Sequence, residues 1–471
     1  MRIAFYVSGH GYGHATRDCQ IIKALLDQDP QTSIVISSRA SPHIFKEVLD
    51  NDRVAHRYKD IDPAVVQPVA YAVDAEKTTA YLEEFIGRLD TTVEEEKKWL
   101  LEEGIELILA DAPFMPCYAA SLLALPTIVV TNFTFAEVYS YFPDPGNTLQ
   151  KLVEKVIFCY RHADIWLRMP GYMPNPGFEE VDLPSTKWIV DSSLSKPLLE
   201  AMDRRKISST DRIFPSMSIG IPKLRRRIID TPLSVRLATP SIHRDRQKRS
   251  EFLMSVGLPE AEISKPILLV AFGGHPIFAK NEVEKKTSEL LPPGWIAIMC
   301  GMADDDPARS RLPEDFYAAP REVHVPDLLV CATVVLGKLG YGMVSEAIST
   351  NTPMIYVPRT AFIEEFGLKR MIETFPGYGR RQVRGREIPP NVISLSSTDF
   401  ENGQWRTAIE LVAKKMQEQG LGMAEPGSPI EDGGPQYVGS SARVDGGEFI
   451  AAQVQSIYQE CQQLKTTQGE A

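Results

Sequence analysis

The stretch VVLGKLGYGMVSEA, residues 334–347, decides how the chain is interpreted. It predicts a short buried strand, a glycine-rich turn, and a helix that continues to about residue 350. Gly337, Gly340 and Gly342 allow a sharp turn and a close approach to a ligand. The helix would direct free N–H groups and the positive end of its dipole at the turn, which suits a phosphate or diphosphate. A turn of this kind taken alone more often binds nothing, so the other segments must decide.

The composition indicates a globular protein of more than one domain. The chain has 471 residues, 43% of them apolar and 24% charged, with a net charge of −11. This length suits two or three domains, and the acidic balance argues against nucleic acid as the main partner. No signal peptide or apolar run of membrane-spanning length is visible, so we expect a cytoplasmic protein without an integral membrane segment. The six cysteines are scattered without metal-ligand spacing, which favours free buried thiols.

A second glycine-rich turn opens the chain. Residues 2–7 predict a strand, and the segment SGHGYGHATR, residues 8–17, predicts a turn leading into a helix. Gly9, Gly11 and Gly13 alternate, which is not the spacing of a dinucleotide-binding turn. His10 and His14 lie between and after these glycines, at the mouth of the predicted sheet. A lone histidine is more often structural, but two in one glycine turn favour a site for proton transfer near neutral pH.

An acidic residue is predicted at the same edge of the sheet. Residues 106–110 read as a buried strand, and Asp111 follows directly. Asp111 could cap the next helix, or it could orient His14 and stabilise its protonated form. The two roles are about equally supported and are compatible.

The two halves of the chain have the same organisation. Strands alternate with helices in both, which predicts an α/β class with two doubly wound, Rossmann-like domains facing a cleft. In the second half, Gly273 and Gly274 end a strong strand, and Glu364 and Glu365 begin a helix over residues 363–374. We also predict a helix over residues 243–256 and a short strand at residues 323–325.

The predicted boundaries are 1–181 for the first domain, 182–235 for an insert or linker, and 236–471 for the second domain. The last helix, from about residue 447, is a candidate to pack back on the first domain. Between residues 203 and 249 basic residues outnumber acidic ones by about three to one. Aromatic residues are not interleaved with them, so a solvated insert or a wall for an anionic ligand is favoured over a nucleic-acid site.

These features together resemble the GT-B glycosyltransferases, and most closely the glycosyltransferase-like N-terminal region of plant L-arabinokinases. The resemblance covers most of the chain outside residues 182–228. The matching segments are SGHGYGHATR (8–17), DTPLSVR (230–236), FGGHP (272–276), KLGYGMVSEA (338–347), YVPR (356–359) with the following EE, and DGGE (445–448).

The resemblance implies a nucleotide diphosphate sugar as donor substrate, with a uridine diphosphate sugar favoured, and no separate cofactor. The second domain would bind this donor. Gly340, Gly342 and the intervening Tyr341 match the diphosphate-binding turn, and Glu346 matches the carboxylate that holds the ribose hydroxyls. Lys338 replaces a phosphate-contacting histidine of plant enzymes, and Gly273 and Gly274 belong to the donor side.

The resemblance also assigns roles on the acceptor side. His14 matches the base that acts on the acceptor, Asp111 matches its acidic partner, and His10 is a rival base or a diphosphate contact. Glu364 and Glu365 match the neighbourhood of the donor sugar. Met343 stands where the family usually has Thr or Ser, and residues 323–326 lack the aromatic side chain that stacks on the base.

Three functions fit this pattern. The first is metal-independent transfer of a sugar from a nucleotide diphosphate sugar to an unidentified small-molecule or glycan acceptor, with His14 as base. The second is binding or regulation by a nucleotide sugar without catalysis, since fold does not fix function. The third is epimerisation of a uridine diphosphate sugar, which would need carboxylates placed for elimination. The sequence shows no clear set of these.

Overall fold

The computed structural model describes residues 1–9, 12–142, 148–178, 224, 226–273, 290–359, 362–376, 378, 381–383, 386–388, 391–418 and 445–469. Most of the predicted insert therefore lies outside the described residues. His10, Gly11 and Gly274 also lie outside them.

The first half of the chain forms a seven-stranded parallel sheet in the order β3-β2-β1-β4-β5-β6-β7. The strands are β1 (Arg2–Val7), β2 (Ser33–Ser38), β3 (Val54–Tyr58), β4 (Leu107–Asp111), β5 (Thr127–Thr131), β6 (Ile165–Arg168) and β7 (Arg227–Asp230). The helices are α1 (Tyr12–Gln28), α2 (Lys46–Leu49), α3 (Ala75–Gly87), α4 (Leu89–Glu102), α5 (Met115–Ser121), α6 (Phe135–Ser140) and α7 (Thr148–Tyr160). The end of the predicted insert thus contributes the edge strand β7 to this sheet.

The second half forms a six-stranded parallel sheet in the order β10-β9-β8-β11-β12-β15, and β13 and β14 form a separate hairpin. The strands are β8 (Ile267–Ala271), β9 (Ile296–Met299), β10 (Phe316–Ala318), β11 (Val334–Gly337), β12 (Met354–Tyr356), β13 (Arg381–Val383), β14 (Arg386–Ile388) and β15 (Val392–Ser394). The helices are α8 (Pro240–Arg244), α9 (Arg246–Ser255), α10 (Val325–Cys331), α11 (Tyr341–Thr350), α12 (Glu364–Thr374), α13 (Ser397–Glu401), α14 (Trp405–Glu418) and α15 (Gly446–Gly469).

Alternating side chains place the sheets between apolar layers. In β1, Ile3 and Phe5 belong to a core cluster that also contains Ile267 and Leu269 of β8. Ala4 and Tyr6 of β1 face a second cluster. A parallel sheet buried on both faces is the arrangement expected of doubly wound domains. The α/β class and the two doubly wound sheets predicted from the sequence are confirmed.

Two local predictions were wrong. The helix predicted over residues 243–256 is broken at Asp245, which is extended and accepts N–H bonds from Gln247 and Lys248 as the cap of α9. Residues 323–325 do not form a strand. The edge strand of the sheet is β10, and α10 already begins at Val325. Short apolar runs do not distinguish a strand from the start of a helix.

The last helix, α15, packs on α1 of the first half. Gln28 donates from Nε2 to the carbonyl oxygen of Glu448 at 3.1 Å. Arg227 and Glu460 form an ion pair at 2.8 Å, and the hydroxyl of Tyr458 donates to Glu106 at 2.5 Å. The C-terminal helix therefore ties the second half of the chain to the first sheet. In the described part of the chain, no helix is both long enough and apolar enough to cross a membrane.

Candidate active site

The glycine turn of residues 337–342 connects β11 to α11 as the sequence predicts. A Cβ atom on Gly337 would lie 2.4 Å from the carbonyl oxygen of Ala271 on β8, so no larger residue fits there. Gly340 is the extended N-cap of α11, and its carbonyl oxygen accepts the first intrahelical bond from the N–H of Val344 at 2.9 Å. The preceding N–H groups of the helix have no acceptor within the helix, which makes this end suitable for an anion.

His14 and Asp111 are brought together at the carboxyl edge of the first sheet. Nδ1 of His14 lies 2.9 Å from Oδ2 of Asp111, and both side chains are buried. The ring of Phe133 meets the imidazole edge-on, with centroids 5.3 Å apart. When Nδ1 donates its proton to Asp111, Nε2 is left as a proton acceptor. The arrangement can therefore act as a base with an orienting carboxylate.

Arg17 is a member of this cluster to which the sequence analysis assigned no role. It lies on α1 three residues after His14 and donates from Nε to Oδ2 of Asp111 at 2.8 Å and from Nη2 to Oδ1 at 2.5 Å. Burial would raise the pKa of Asp111, but the charges of Arg17 and His14 hold that pKa well below its usual range. Asp111 is consequently ionised at neutral pH and shared between two partners.

Arg17 also reaches the second half of the chain. Its guanidinium lies over the ring of Tyr341, 4.5 Å from the centroid, at the start of α11. Its Nη1 donates to Asn132 at 2.6 Å, and Asn132 in turn donates to Glu364 at 3.1 Å. A Cβ atom on Gly342 would lie 3.6 Å from the Cα atom of Gly13, so the two glycine turns are in van der Waals contact. The cluster around His14 is thus connected through buried contacts to the turn before α11.

Glu364 and Glu365 both bind Arg359 of the YVPR segment. Glu364 pairs with the guanidinium of Arg359 at 3.0 Å, and Glu365 accepts the backbone N–H of Arg359 at 2.8 Å. The same guanidinium also donates to the carbonyl oxygen of Leu339 in the glycine turn. Arg359 therefore holds the turn and the start of α12 in one arrangement.

Lys338 lies on the glycine turn, with its terminal methylene 3.9 Å from where a Cβ atom would stand on Gly273 or Gly340. The side chain is half-buried. The surrounding protein excludes much of the water from its ammonium group. This desolvation and the charge of Arg359 lower the pKa of Lys338 to about 7, against the opposing effect of Glu364. Lys338 therefore changes between its charged and neutral forms near neutral pH.

The affinity of the site for a diphosphate is expected to depend on pH. We expect the affinity for uridine diphosphate to fall by about tenfold between about pH 7 and pH 9, because only the protonated Lys338 attracts the diphosphate. Isothermal titration calorimetry across this range measures the affinity. Lys338→Met should bind weakly with little pH dependence, and Lys338→Arg should keep its affinity at high pH. An equal pH slope in wild type and Lys338→Met would contradict the prediction.

The elements described above enclose a cavity of about 530 Å³ between the two halves of the chain. Most of the predicted site residues line it: Gly13, His14, Gly273, Lys338, Gly340, Tyr341, Gly342, Met343, Glu346 and Glu364. Asp111 lies behind His14 and is fully buried. Glu365 is outside the lining in the described part of the chain. Within the described residues, no group of three or more His, Cys, Asp or Glu side chains is placed to hold a metal ion.

The sequence assigned no role to Arg359, nor to two further arginines of the site. Arg17 stands three residues after His14, which puts both on one face of a helix, so the helical spacing was an available signal. Arg236 ends the DTPLSVR segment and pairs with Glu346 at 2.6 Å. Because 110 residues separate Arg236 from Glu346, nothing in the local sequence indicated this pair.

Comparison with solved structures decides the fold family. The chain aligns over 97% of its length with 98% of the glycosyltransferase of kitacinnamycin, at 11% identity and a TM-score of 0.52. It aligns over 97% of its length with 99% of UGT2 from Phytolacca americana, at 10% identity and a TM-score of 0.51. The chain has the GT-B fold. At sequence identities this low, the similarity establishes only the fold of the chain and not its activity.

The chain also has a curated relative by sequence. The GT-B chain is 27% identical to L-arabinokinase of Arabidopsis thaliana over 374 residues, which is 79% of this chain and 30% of that protein. It therefore spans less than a third of the length of the curated relative that it matches. No family model matches the sequence.

Proposed function

We propose that the protein transfers a glycosyl group from a nucleoside diphosphate sugar, with a uridine diphosphate sugar favoured, to a hydroxyl or amine of an acceptor. The observation that carries this proposal is the cavity between the two halves. His14, with Asp111 behind it, lines this cavity together with Lys338 and the N-terminus of α11. A structural neighbour, UGT2 of Phytolacca americana, was solved with UDP-2-fluoro-glucose and pterostilbene.

In the proposed reaction, Nε2 of His14 takes the proton of the acceptor O–H or N–H as that atom attacks the anomeric carbon of the sugar. The bond from this carbon to the diphosphate oxygen breaks, and the diphosphate leaves with the bonding electrons. Its negative charge is received by the N-terminus of α11 and by protonated Lys338. These groups supply the positive charge that compensates the leaving diphosphate, so the proposed reaction requires no metal ion.

Thermal-shift titration tests the donor site. A ligand that binds only the folded state raises the melting temperature with its concentration. We expect uridine diphosphate and its sugars to stabilise the wild type more than GDP-sugars or ADP do, and we expect this stabilisation to be smaller in Glu346→Ala. The absence of a shift with every nucleotide would overturn the donor assignment. Release of uridine diphosphate from its sugars with a panel of acceptors then tests transfer.

A second candidate function is nucleotide-sugar binding without transfer. It is favoured because three carboxylates of the site already form ion pairs with arginines of the protein: Asp111 with Arg17, Glu346 with Arg236, and Glu364 with Arg359. Titration of a uridine diphosphate sugar with and without acceptors distinguishes the two functions. Saturable binding without turnover or donor hydrolysis would favour this second candidate.

A further inference from the structure

Glu346, the residue expected to hold the ribose hydroxyls, is bound to Arg236. Nε of Arg236 donates to Oε1 of Glu346 at 2.7 Å, and Nη2 lies 2.6 Å from the same oxygen. Glu346 is 3% exposed and lines the cavity together with Arg236. Both close contacts fall on Oε1, which leaves Oε2 as the oxygen for a ligand hydroxyl.

The backbone segment that carries Arg236 is anchored both before and after this residue. Ser234 forms an isolated bridge with Asp445, and Leu233 accepts the N–H of Gly446 at 3.1 Å. Downstream, the backbone N–H and hydroxyl of Thr239 donate to Asp327 at 2.6 and 2.8 Å. The guanidinium is therefore presented by a segment that is anchored to the starts of α15 and α10. A side chain held in this way can fix the orientation of its partner.

The charges of the pair support the same role. A carboxylate as deeply buried as that of Glu346 is costly to keep ionised unless a cation compensates it. Burial by itself lowers the pKa of Arg236, but the charge of Glu346 and its hydrogen bond raise it overall. Without the guanidinium, the buried carboxylate of Glu346 would lose both its compensating charge and the contacts that fix its orientation.

We propose that Arg236 is a positioning residue of the donor site, which pairs with Oε1 of Glu346, fixes the orientation of its carboxylate and presents Oε2 to the ribose of the nucleotide. This inference rests on the proposed function, because it deepens the role of Glu346 within the same site. This role of Arg236 would make the segment that connects the two sheets part of donor recognition. The ligand class that depends on the pair is a nucleotide with a ribose, as opposed to a 2′-deoxyribose.

Calorimetric titration with uridine diphosphate and 2′-deoxyuridine diphosphate tests the inference. We expect the wild type to prefer the ribonucleotide by about tenfold or more, the effect of a hydrogen bond to a charged group. In Arg236→Met the preference should fall below about threefold, while the affinity for the deoxynucleotide changes little. Glu346→Ala should lose the preference equally, and the double variant should lose no more, because the two residues act as one unit.

Two further variants keep the test decisive. Arg227→Met removes an arginine from another ion pair, with Glu460 at 2.8 Å, and should keep the wild-type preference. Arg236→Gln retains an N–H donor without the charge and should also lose the preference, so a poorly folded Arg236→Met would not leave the question open. Melting temperatures of all variants establish that they are folded.

The outcomes separate the inference from the function on which it rests. A wild type that binds no uridine nucleotide overturns the proposed function and the inference with it. A wild type that binds uridine diphosphate without preferring ribose overturns the inference and leaves the donor site standing. An unchanged preference in folded Arg236→Met or Arg236→Gln does the same, since Glu346 would then act without Arg236.

Discussion

Replacing His14 by alanine is expected to lower the turnover rate for sugar transfer by about 10²- to 10⁴-fold, the usual contribution of a general base. The acceptor that gives the fastest release of uridine diphosphate in the acceptor screen is the substrate for this measurement. Affinity for uridine diphosphate should change by less than about twofold, because the proposed reaction assigns His14 to the acceptor and not to the diphosphate. Loss of rate without loss of binding identifies an interaction made in the transition state.

The control for this experiment is His56→Ala. His56 lies on β3, packs against Phe45 with ring centroids 5.6 Å apart, and is absent from the lining of the cavity. It should retain both rate and binding. A loss of less than tenfold in His14→Ala would contradict the assignment of His14 as base, as would a parallel loss of nucleotide affinity.

The fold and part of the site could be predicted because their signals are local. Glycine turns after buried strands indicate the carboxyl edge of a parallel sheet, and ligands collect at that edge. His14 follows β1 and Asp111 ends the neighbouring strand β4, and they form the predicted pair at 2.9 Å. The position of the glycine turn between β11 and α11 was also predicted, since the strand, the turn and the helix each have a characteristic pattern.

The partners of the charged side chains could not be predicted in the same way. Glu364 binds Asn132 across 232 residues of sequence, and Arg17 binds Asp111 across 94. The first of these pairs depends on how the two halves of the chain are placed against each other, and the second on how α1 packs against the sheet. A carboxylate in a sequence carries no sign of which cation will neutralise it. The resemblance assigned ligand roles to Glu346 and Glu364, and it gave no indication that Arg236 and Arg359 would bind them.

Replacing Arg17 by methionine is expected to lower the free energy of unfolding by about 3–5 kcal/mol, the cost of leaving one member of a buried ion pair without its partner. Arg17 and Asp111 are 3% and 0% exposed, so solvent cannot compensate the remaining carboxylate. Urea denaturation followed by tryptophan fluorescence measures the change. Arg406→Met removes an arginine from a surface pair with Glu410 and should cost less than about 1 kcal/mol.

The pH dependence of this difference has a defined sign. Because the pKa of Asp111 is depressed in the folded protein, its contribution to stability is complete above its unfolded pKa of about 3.9 and is lost as the pH falls below that value. The gap between wild type and Arg17→Met should therefore be constant from about pH 8 to pH 5 and narrow below about pH 4. Adding Asp111→Leu to Arg17→Met should recover stability, because the uncompensated charge is removed. A gap as small as that of Arg406→Met would show that His14 alone compensates the charge of Asp111.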